Sequence, residues 1–138
     1  MAKLSNDEIE DLTAERDLSA MLDAVSKADV SELAQSDFEA GIRYFRGKWK
    51  CQILLRLFRK DVMRYGEIKK IFETYRITNN VLAAALKEME RDGLLERRQY
   101  NEVPPRVEYA LTDSAKEFLP ILLQFVLWVR KHREAADE

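Results

Sequence analysis

The chain has 138 residues, of which 46% are hydrophobic and 35% charged, with only four glycines and three prolines. This length suits one domain, and this composition excludes a disordered chain, collagen and a turn-rich all-β protein. A single cysteine, Cys51, excludes a disulfide framework within the chain. No secretory signal begins the sequence, and its longest uncharged apolar run, residues 118–129, is too short for a membrane helix, so we expect a cytoplasmic protein.

The charge is unevenly distributed along the chain. Residues 1–37 hold three basic and ten acidic residues, whereas residues 43–106 hold sixteen basic and eight acidic ones. A basic stretch in a small domain indicates either a solvated surface or a polyanion partner, and the counts leave both open. We therefore divide the chain into an acidic N-terminal helical arm, 1–35, and a body, 36–138.

The arm is expected to form an amphipathic helix. Ser5 and Glu8 have the spacing of a capping box, and a narrow apolar stripe with helical period follows. Such a helix is marginal alone in water, so it must dock on the body, on a second subunit or on another protein. The stripe consists of Leu18, Met21, Leu22 and Val25.

Helical periodicity and capping signals predict four helices in the first part of the body. The first begins at a capping box of Ser36 and Glu39 and ends at Gly47, with Phe38, Ile42 and Phe45 on one face. Two more are expected over 48–59 and 65–72. The fourth is the best marked, because Thr78 is a good N-cap residue and Gly93 stands where a left-handed C-cap belongs. We place it over 79–92, with Leu82, Ala85, Leu86 and Met89 inward.

The pattern then changes to the period of a β-hairpin. Residues 95–99 and 107–111 are expected to be strands, and Pro104-Pro105 makes the loop between them stiff. A two-stranded hairpin is not stable alone, so this one must pack on the helices.

A long helix should follow Thr112 as N-cap, over 113–132, with Pro120 kinking it or ending its first turn. It is apolar on most faces between residues 119 and 129. A domain this small covers one side of its terminal helix, so a second copy of the protein is the simplest cover for the other side. The alternative is a helix buried within one subunit. The predicted dimer interface consists of Leu119, Leu122, Leu123, Phe125, Val126, Trp128 and Val129.

The last three of these four helices, ending with the strongly capped one, are followed by a hairpin, and this is the order of a winged helix-turn-helix. The predicted fold class is therefore mostly α with a small β-hairpin (α+β), with dimerisation through terminal helices. In this fold the strongly capped helix enters the DNA major groove and the hairpin forms the wing.

Particular residues narrow the prediction. They are Gly47-Lys48-Trp49, residues 64–68, Ile77-Thr78 with Leu82, residues 88–90 and 92–95, Arg97, the run Pro104-Pro105-Arg106-Val107-Glu108-Tyr109, and Leu111-Thr112. From about Phe38 to Val129 the chain closely resembles the HxlR-type family of bacterial and archaeal transcriptional regulators. The resemblance implies a homodimer that binds double-stranded DNA at a two-fold symmetric site near promoters, with repression favoured over activation.

The candidate DNA contacts follow from the outward face of the fourth helix and from the wing. Asn79 and Asn80 present the donor and acceptor pair that matches adenine, or they only cap and solvate the first turn. Ala83 and Ala84 allow close approach, and Lys87 and Arg91 suit phosphates. Thr78 caps the helix and is placed to meet a phosphate as well.

Three arginines of the wing, Arg97, Arg98 and Arg106, complete this set. Arg106, beside the proline pair, is the foremost candidate for a backbone or minor-groove contact; the alternative is a salt bridge to Glu102 or Glu108. Arg64, Lys69, Lys70 and Arg76 could add phosphate contacts.

The sequence also departs from the family pattern. The family usually has a basic residue where Asn80 stands and often Arg or Gln where Ala85 stands, which implies a smaller counterion-release term here. Many members carry a Cys-Pro pair where this chain has Ser36-Asp37, so thiol sensing at that site is not implied. Cys51 is expected to be a buried small hydrophobe, with a redox role as the alternative.

No enzyme is expected. The chain has one histidine, His132, and lacks a Cys–His pair, a metal-ligand cluster and a phosphate-cradling glycine loop, so we expect no cofactor and no metal. The rival function is a winged-helix protein-interaction module with weak or masked DNA binding. In that case the acidic arm covers the basic face or extends the dimer interface. The sequence identifies neither an operator nor an effector.

Overall fold

The structure, a computed structural model, describes residues 19, 26 and 33–136, so the predicted stripe of the arm lies outside the described residues. The described residues form two compact units, Tyr44–Leu119 and the residues on either side of it, 33–43 and 120–136. The elements within 33–136 are α1 Phe38–Phe45, α2 Lys50–Lys60, β1 Val62–Arg64, α3 Tyr65–Glu73, α4 Asn79–Arg91, β2 Leu95–Tyr100, β3 Arg106–Leu111 and α5 Asp113–Ala136.

The core of the Tyr44–Leu119 unit is assembled from one apolar stripe of each helix and one face of the sheet. Full burial of each such side chain contributes roughly 1.5–3 kcal/mol, which makes these positions the main support of the recognition helix α4. The buried residues include Ile53, Leu54 and Leu57 of α2, Ile68 and Phe72 of α3, Leu82, Leu86 and Met89 of α4, and Met63, Leu95, Tyr109 and Leu111 of the sheet.

The wing hairpin belongs to a three-stranded antiparallel sheet with the order β1-β3-β2. The prediction of two strands was therefore incomplete. The missed strand β1 has only three residues, and its Met63 lies opposite Tyr109 of β3, with both side chains buried. Three residues are too few for an alternating pattern to be recognised in the sequence. The third strand is identified only by its pairing with β3.

The start of α1 differs from the prediction. Residues Leu33–Asp37 form a π-helical turn that leads directly into α1, so Ser36 is not the N-cap of a new helix. The apolar face expected on α1 is only partly covered, because Phe38 is 64% exposed and Phe45 38%. Phe45 packs edge-on against Phe118, with 5.2 Å between the ring centroids.

The C-terminal helix α5 begins as predicted. Thr112 Oγ1 accepts a hydrogen bond from the Ala115 N–H at 3.1 Å, which is the expected N-cap contact. The helix does not end at Pro120 but runs on to Ala136, four residues beyond the predicted limit. Proline has no N–H to donate, so the carbonyl of Lys116 lacks its usual helical partner there.

Candidate nucleic-acid interface

The recognition helix α4 is capped at both ends. At its N-terminus Thr78 has extended backbone, and its Oγ1 accepts from the Val81 N–H at 3.3 Å. At its C-terminus Gly93 has φ +76, the Leu94 N–H donates to the Met89 carbonyl, and the Gly93 N–H donates to the Glu90 carbonyl. This pair of bonds is the Schellman arrangement, which requires a left-handed residue at Gly93. Both predicted caps are confirmed.

One side of α4 is buried and the other faces solvent. Leu82, Leu86 and Met89 are at most 2% exposed. A rotation of roughly 100° per residue places Asn80, Ala84, Lys87 and Arg91 opposite this stripe, with Asn79 and Ala83 beside them. All six side chains are exposed, as predicted. Ala85, predicted to point inward, is only half-buried at the margin of the stripe.

Val81 is an exposed residue that the sequence analysis did not single out. It lies in the first turn of α4 and is 46% exposed. On the helical wheel it falls outside the buried stripe, which is the signal that could have identified it. An exposed methyl-bearing side chain at this end of a recognition helix suits contact with a thymine methyl group.

Lys50 holds the C-terminal half of α4 against α2. Its side chain is 4% exposed, and its Nζ lies 2.9 Å from Glu88 Oε1 and 3.8 Å from Asp92 Oδ2. The hydrogen bond from Lys50 lowers the pKa of the Glu88 carboxyl. Lys50 was not among the predicted residues, although it shares the helical phase of Ile53, Leu54 and Leu57 and its spacing therefore placed it on the buried side.

Arg106 of the wing is held in a cluster of side chains. Its guanidinium carbon lies 3.9 Å from the centre of the Tyr100 ring. Its Nη1 is 3.5 Å from Glu102 Oε1, and its Nε is 3.4 Å from Glu108 Oε1. Tyr100 in turn donates its hydroxyl to Glu108 Oε2 at 3.1 Å. Both salt bridges considered as the alternative to a DNA contact are therefore present.

The two other candidate arginines of the wing lie on opposite faces of it. Successive residues of a strand alternate in direction, so Arg97 and Arg98 cannot share a surface. Arg98 lies opposite Glu108 in the β2–β3 register, whereas Arg97 lies opposite the buried Tyr109 and donates to Gln99 Oε1 at 3.3 Å. The structure thus places Arg98 on the face of Glu108 and Arg97 on the face of Tyr109.

An open cleft of about 720 Å³ separates the N-terminus of α3 from the tip of the wing. Its basic side chains are Arg64, Arg97 and Arg106. At the N-terminus of α3, Glu67 Oε1 accepts from the Arg64 N–H at 3.2 Å, and Glu67 Oε2 accepts from Lys60 Nζ at 3.1 Å. These contacts lower the pKa of the Glu67 carboxyl. The helix end is already capped by a carboxylate.

Within the described ranges, no three His, Cys, Asp or Glu side chains are grouped so as to hold a metal ion. A search of the same residues finds no helix with the length and apolarity needed to cross a bilayer.

A solvent-facing capped helix beside a basic wing is the geometry of a winged helix-turn-helix, and comparison with known proteins assigns it to one family. Residues 44–137 match the profile of the HxlR-like helix-turn-helix family. The chain belongs to this family. Its members are DNA-binding transcriptional regulators, which confirms the class of protein and the DNA partner expected from the sequence.

Relatives and solved structures agree with this assignment. The chain is 38% identical over 107 residues to an uncharacterized HTH-type transcriptional regulator, BH0655 of Halalkalibacterium halodurans, covering 78% of this chain and 93% of that protein. A MarR-family transcriptional regulator from Enterococcus faecalis V583 superposes with a TM-score of 0.64 at 32% identity, covering 80% of this chain and 94% of that one. The redox regulator HypR in its reduced form gives 0.64 at 32%, covering 74% and 98%.

The family's thiol site has no equivalent side chain here. Ser36 and Asp37, which stand where many HxlR-type proteins have Cys-Pro, are exposed, and Cys51 is the chain's single thiol. Cys51 is partly buried, and this burial raises the pKa of its thiol. A raised pKa lowers the fraction of thiolate, which is the reactive form.

The residues of α5 that the sequence predicts for a dimer interface fall into two classes. Leu119, Leu122 and Leu123 are buried, at 2%, 4% and 6% exposure. Phe125 and Trp128 are 50% and 58% exposed, and Val126 and Val129 are intermediate. Ile121, which was not among the predicted residues, is 43% exposed and continues the exposed face of α5.

Proposed function

We propose that this HxlR-type protein is a homodimeric transcriptional regulator that binds a two-fold symmetric operator sequence-specifically and acts as a repressor. The observation that carries the proposal is the outward face of α4. Asn80, Ala84, Lys87 and Arg91 lie together on the solvent side, on a helix held by its caps and by Lys50. Such a helix reaches the major groove without rearranging the domain.

The roles of the two ends of this face differ in chemistry. Asn80 in the first turn offers the paired donor and acceptor that adenine presents, and Asn79 beside it is placed for a neighbouring base. Ala83 and Ala84 are small and allow close approach to the duplex. Thr78 is placed for a phosphate contact. Lys87 and Arg91, further along, carry the charge that neutralises the DNA backbone.

Dimerisation is proposed through the exposed face of α5. Ile121, Phe125 and Trp128 repeat at i, i+4 and i+7, so they form one apolar stripe along the helix. A second copy presenting the same stripe covers both surfaces through a two-fold interface. Two recognition helices related in this way would read half-sites about one turn of DNA, roughly 34 Å, apart.

The test begins with selection from a random-sequence duplex library, followed by fluorescence anisotropy on the selected site and a scrambled control over a range of salt concentrations. We expect a palindromic site, at least about 1,000-fold preference over the control, and a steep salt dependence. Asn80→Ala should lose affinity only for the selected site. Lys87→Ala should weaken binding to both duplexes and flatten the salt slope.

Failure to enrich any sequence would refute the proposal and favour the protein-interaction module. We propose that the acidic arm of residues 1–35 is a segment separate from the body 36–138. A second experiment therefore tests the effect of this arm on DNA binding. A full-length variant with the arm's carboxylates changed to amides separates a masked DNA surface from an absent one. Recovery of binding in that variant would show that the arm covers the basic face.

A further inference from the structure

The turn between the two helices of the helix-turn-helix contains a residue in an unusual conformation. Arg76 has φ +56, in the left-handed region that favours glycine. The turn is otherwise regular, with the Tyr75 N–H donating to the Phe72 carbonyl and the Arg76 N–H to the Glu73 carbonyl, both at 3.0 Å. A side chain in this region costs free energy that a glycine would not, because its Cβ approaches a carbonyl oxygen.

Among the residues that the structure describes, no contact of the Arg76 side chain offsets that cost. The side chain is exposed, and across the described residues 33–136 its guanidinium has no hydrogen bond, ion pair or aromatic contact. Arg106 of the wing differs in this respect, since its guanidinium lies between two carboxylates and over a ring. The described contacts within residues 33–136 therefore give no reason for an arginine at position 76.

The position of Arg76 indicates the function of its side chain. It stands two residues before Thr78, the N-cap of α4, at the same helix end as Asn79 and Asn80. Because Arg76 is exposed at this helix end, its long cationic side chain is accessible to a duplex that the first turn of α4 approaches. Backbone strain that the fold does not need is typically retained where it positions a functional group.

We infer that Arg76 is a DNA-backbone contact, whose guanidinium binds a phosphate beside the major groove entered by α4, and that the chain retains it at the expense of stability. The inference rests on the proposed function and adds a residue to it. A phosphate contact carries no sequence information, so Arg76 contributes to affinity for every duplex equally.

The test uses the full chain and a fluorescein-labelled 30-base-pair duplex of mixed sequence, titrated at several salt concentrations. Arg76→Gln removes the charge and keeps the left-handed backbone. We expect it to weaken binding about threefold to tenfold at low salt, to reduce the salt slope by about 1, and to leave Tm unchanged. Arg76→Gly should weaken binding equally but raise Tm by roughly 2–4 °C.

Two matched variants serve as controls. Arg59→Gln removes another exposed charge, at the end of α2 and outside the helix-turn-helix, and should leave the salt slope unchanged. Asp61→Gly relieves the other left-handed non-glycine residue of the described chain, at φ +66, and should raise Tm without weakening DNA binding.

The outcomes separate this inference from the proposed function. Wild-type affinity and slope in Arg76→Gln would overturn the inference while the proposed function stands. An equal loss in Arg59→Gln would also overturn it, because the effect would then be general electrostatics. Absence of binding by the wild-type chain itself would overturn both.

Discussion

Lys50 Nζ lies 2.9 Å from Glu88 Oε1, although the two residues are 38 positions apart in the chain. The contact joins the first turn of α2 to the recognition helix, and Asp92 at the C-cap of α4 lies 3.8 Å from the same ammonium. The buried residue of the pair is Lys50, whereas the Glu88 side chain is 54% exposed. This asymmetry decides which substitution costs more.

Removing Glu88 should destabilise the domain more than removing Lys50. Glu88→Ala removes the 2.9 Å partner of a buried ammonium and leaves Asp92 at 3.8 Å, at a cost of about 1–3 kcal/mol. Lys50→Met replaces the stem by an apolar chain of similar volume and returns Glu88 to water, so we expect a loss below about 1 kcal/mol. Urea unfolding of both variants measures the difference. A larger loss of stability in Lys50→Met than in Glu88→Ala would contradict the view that an unpaired buried ammonium is the main cost.

Thr112 joins the end of the recognition helix to the start of α5. Its hydroxyl donates to the Gly93 carbonyl at 2.6 Å and accepts from the Ala115 N–H at 3.1 Å. Thr112→Ala removes both bonds and should lower the free energy of unfolding by about 1–2 kcal/mol. Thr112→Ser, which keeps the hydroxyl, should recover most of it. A serine variant as unstable as the alanine variant would assign the effect to the lost methyl group.

The carboxylates around Arg106 should compete with DNA for its guanidinium. Glu102→Gln removes one of them, so we expect tighter binding to any duplex, by a few-fold at low salt, whereas Arg106→Ala should weaken it. Glu96→Gln removes the same charge from an exposed position of β2 and is the matched control. Equal gains from Glu96→Gln and Glu102→Gln in anisotropy titrations would contradict a specific competition at Arg106.

The two classes of residue on α5 should respond differently to substitution. Phe125→Ala and Trp128→Ala, at half-exposed positions, should shift the protein towards monomer in sedimentation velocity with little loss of helical circular dichroism. Leu122→Ala, at a buried position, should instead cost about 2–5 kcal/mol of stability. A dimer that survives both aromatic substitutions would place the subunit interface elsewhere.

Acid should weaken the N-terminus of α3 through Glu67. Its folded pKa is lowered from 4.5, chiefly by the Arg64 N–H and then by Lys60, so the stabilisation is present above about pH 4.5 and is lost as pH falls through the folded pKa. The stability advantage of the wild type over Glu67→Gln should therefore be largest near neutral pH and vanish in strong acid. Glu73→Gln, in the same helix, is the control for a general charge effect in pH-dependent urea unfolding.

Much of the fold follows from local signals. Helical period identified α2 to α4, and the alternation of residues 107–111 identified β3, with limits within one or two residues. The caps Thr78 and Gly93 located the two ends of α4, and Thr112 located the start of α5. The start of α1 was placed wrongly because a capping-box spacing at Ser36 fits a continuous helical turn equally well. Local patterns identify element type more reliably than they identify where two helical segments join.

The candidate site was predicted in outline, and its geometry came from the structure. Helical periodicity separated the outward side chains of α4 from Leu82, Leu86 and Met89, because rotation per residue is a property of the chain itself. No local pattern could report that Arg106 lies between Glu102 and Glu108 and over Tyr100, since the fold of the wing brings these groups together.

The sequence by itself determined the element order, the capped recognition helix, the wing and the resemblance to the HxlR-type family, because periodicity, capping and turn chemistry act over a few residues. Only the tertiary structure decided that Lys50 is buried against Glu88, that Val62–Arg64 becomes a third strand, and which residues of α5 remain exposed. These features depend on contacts between distant segments, whose free energies arise only when the segments pack together.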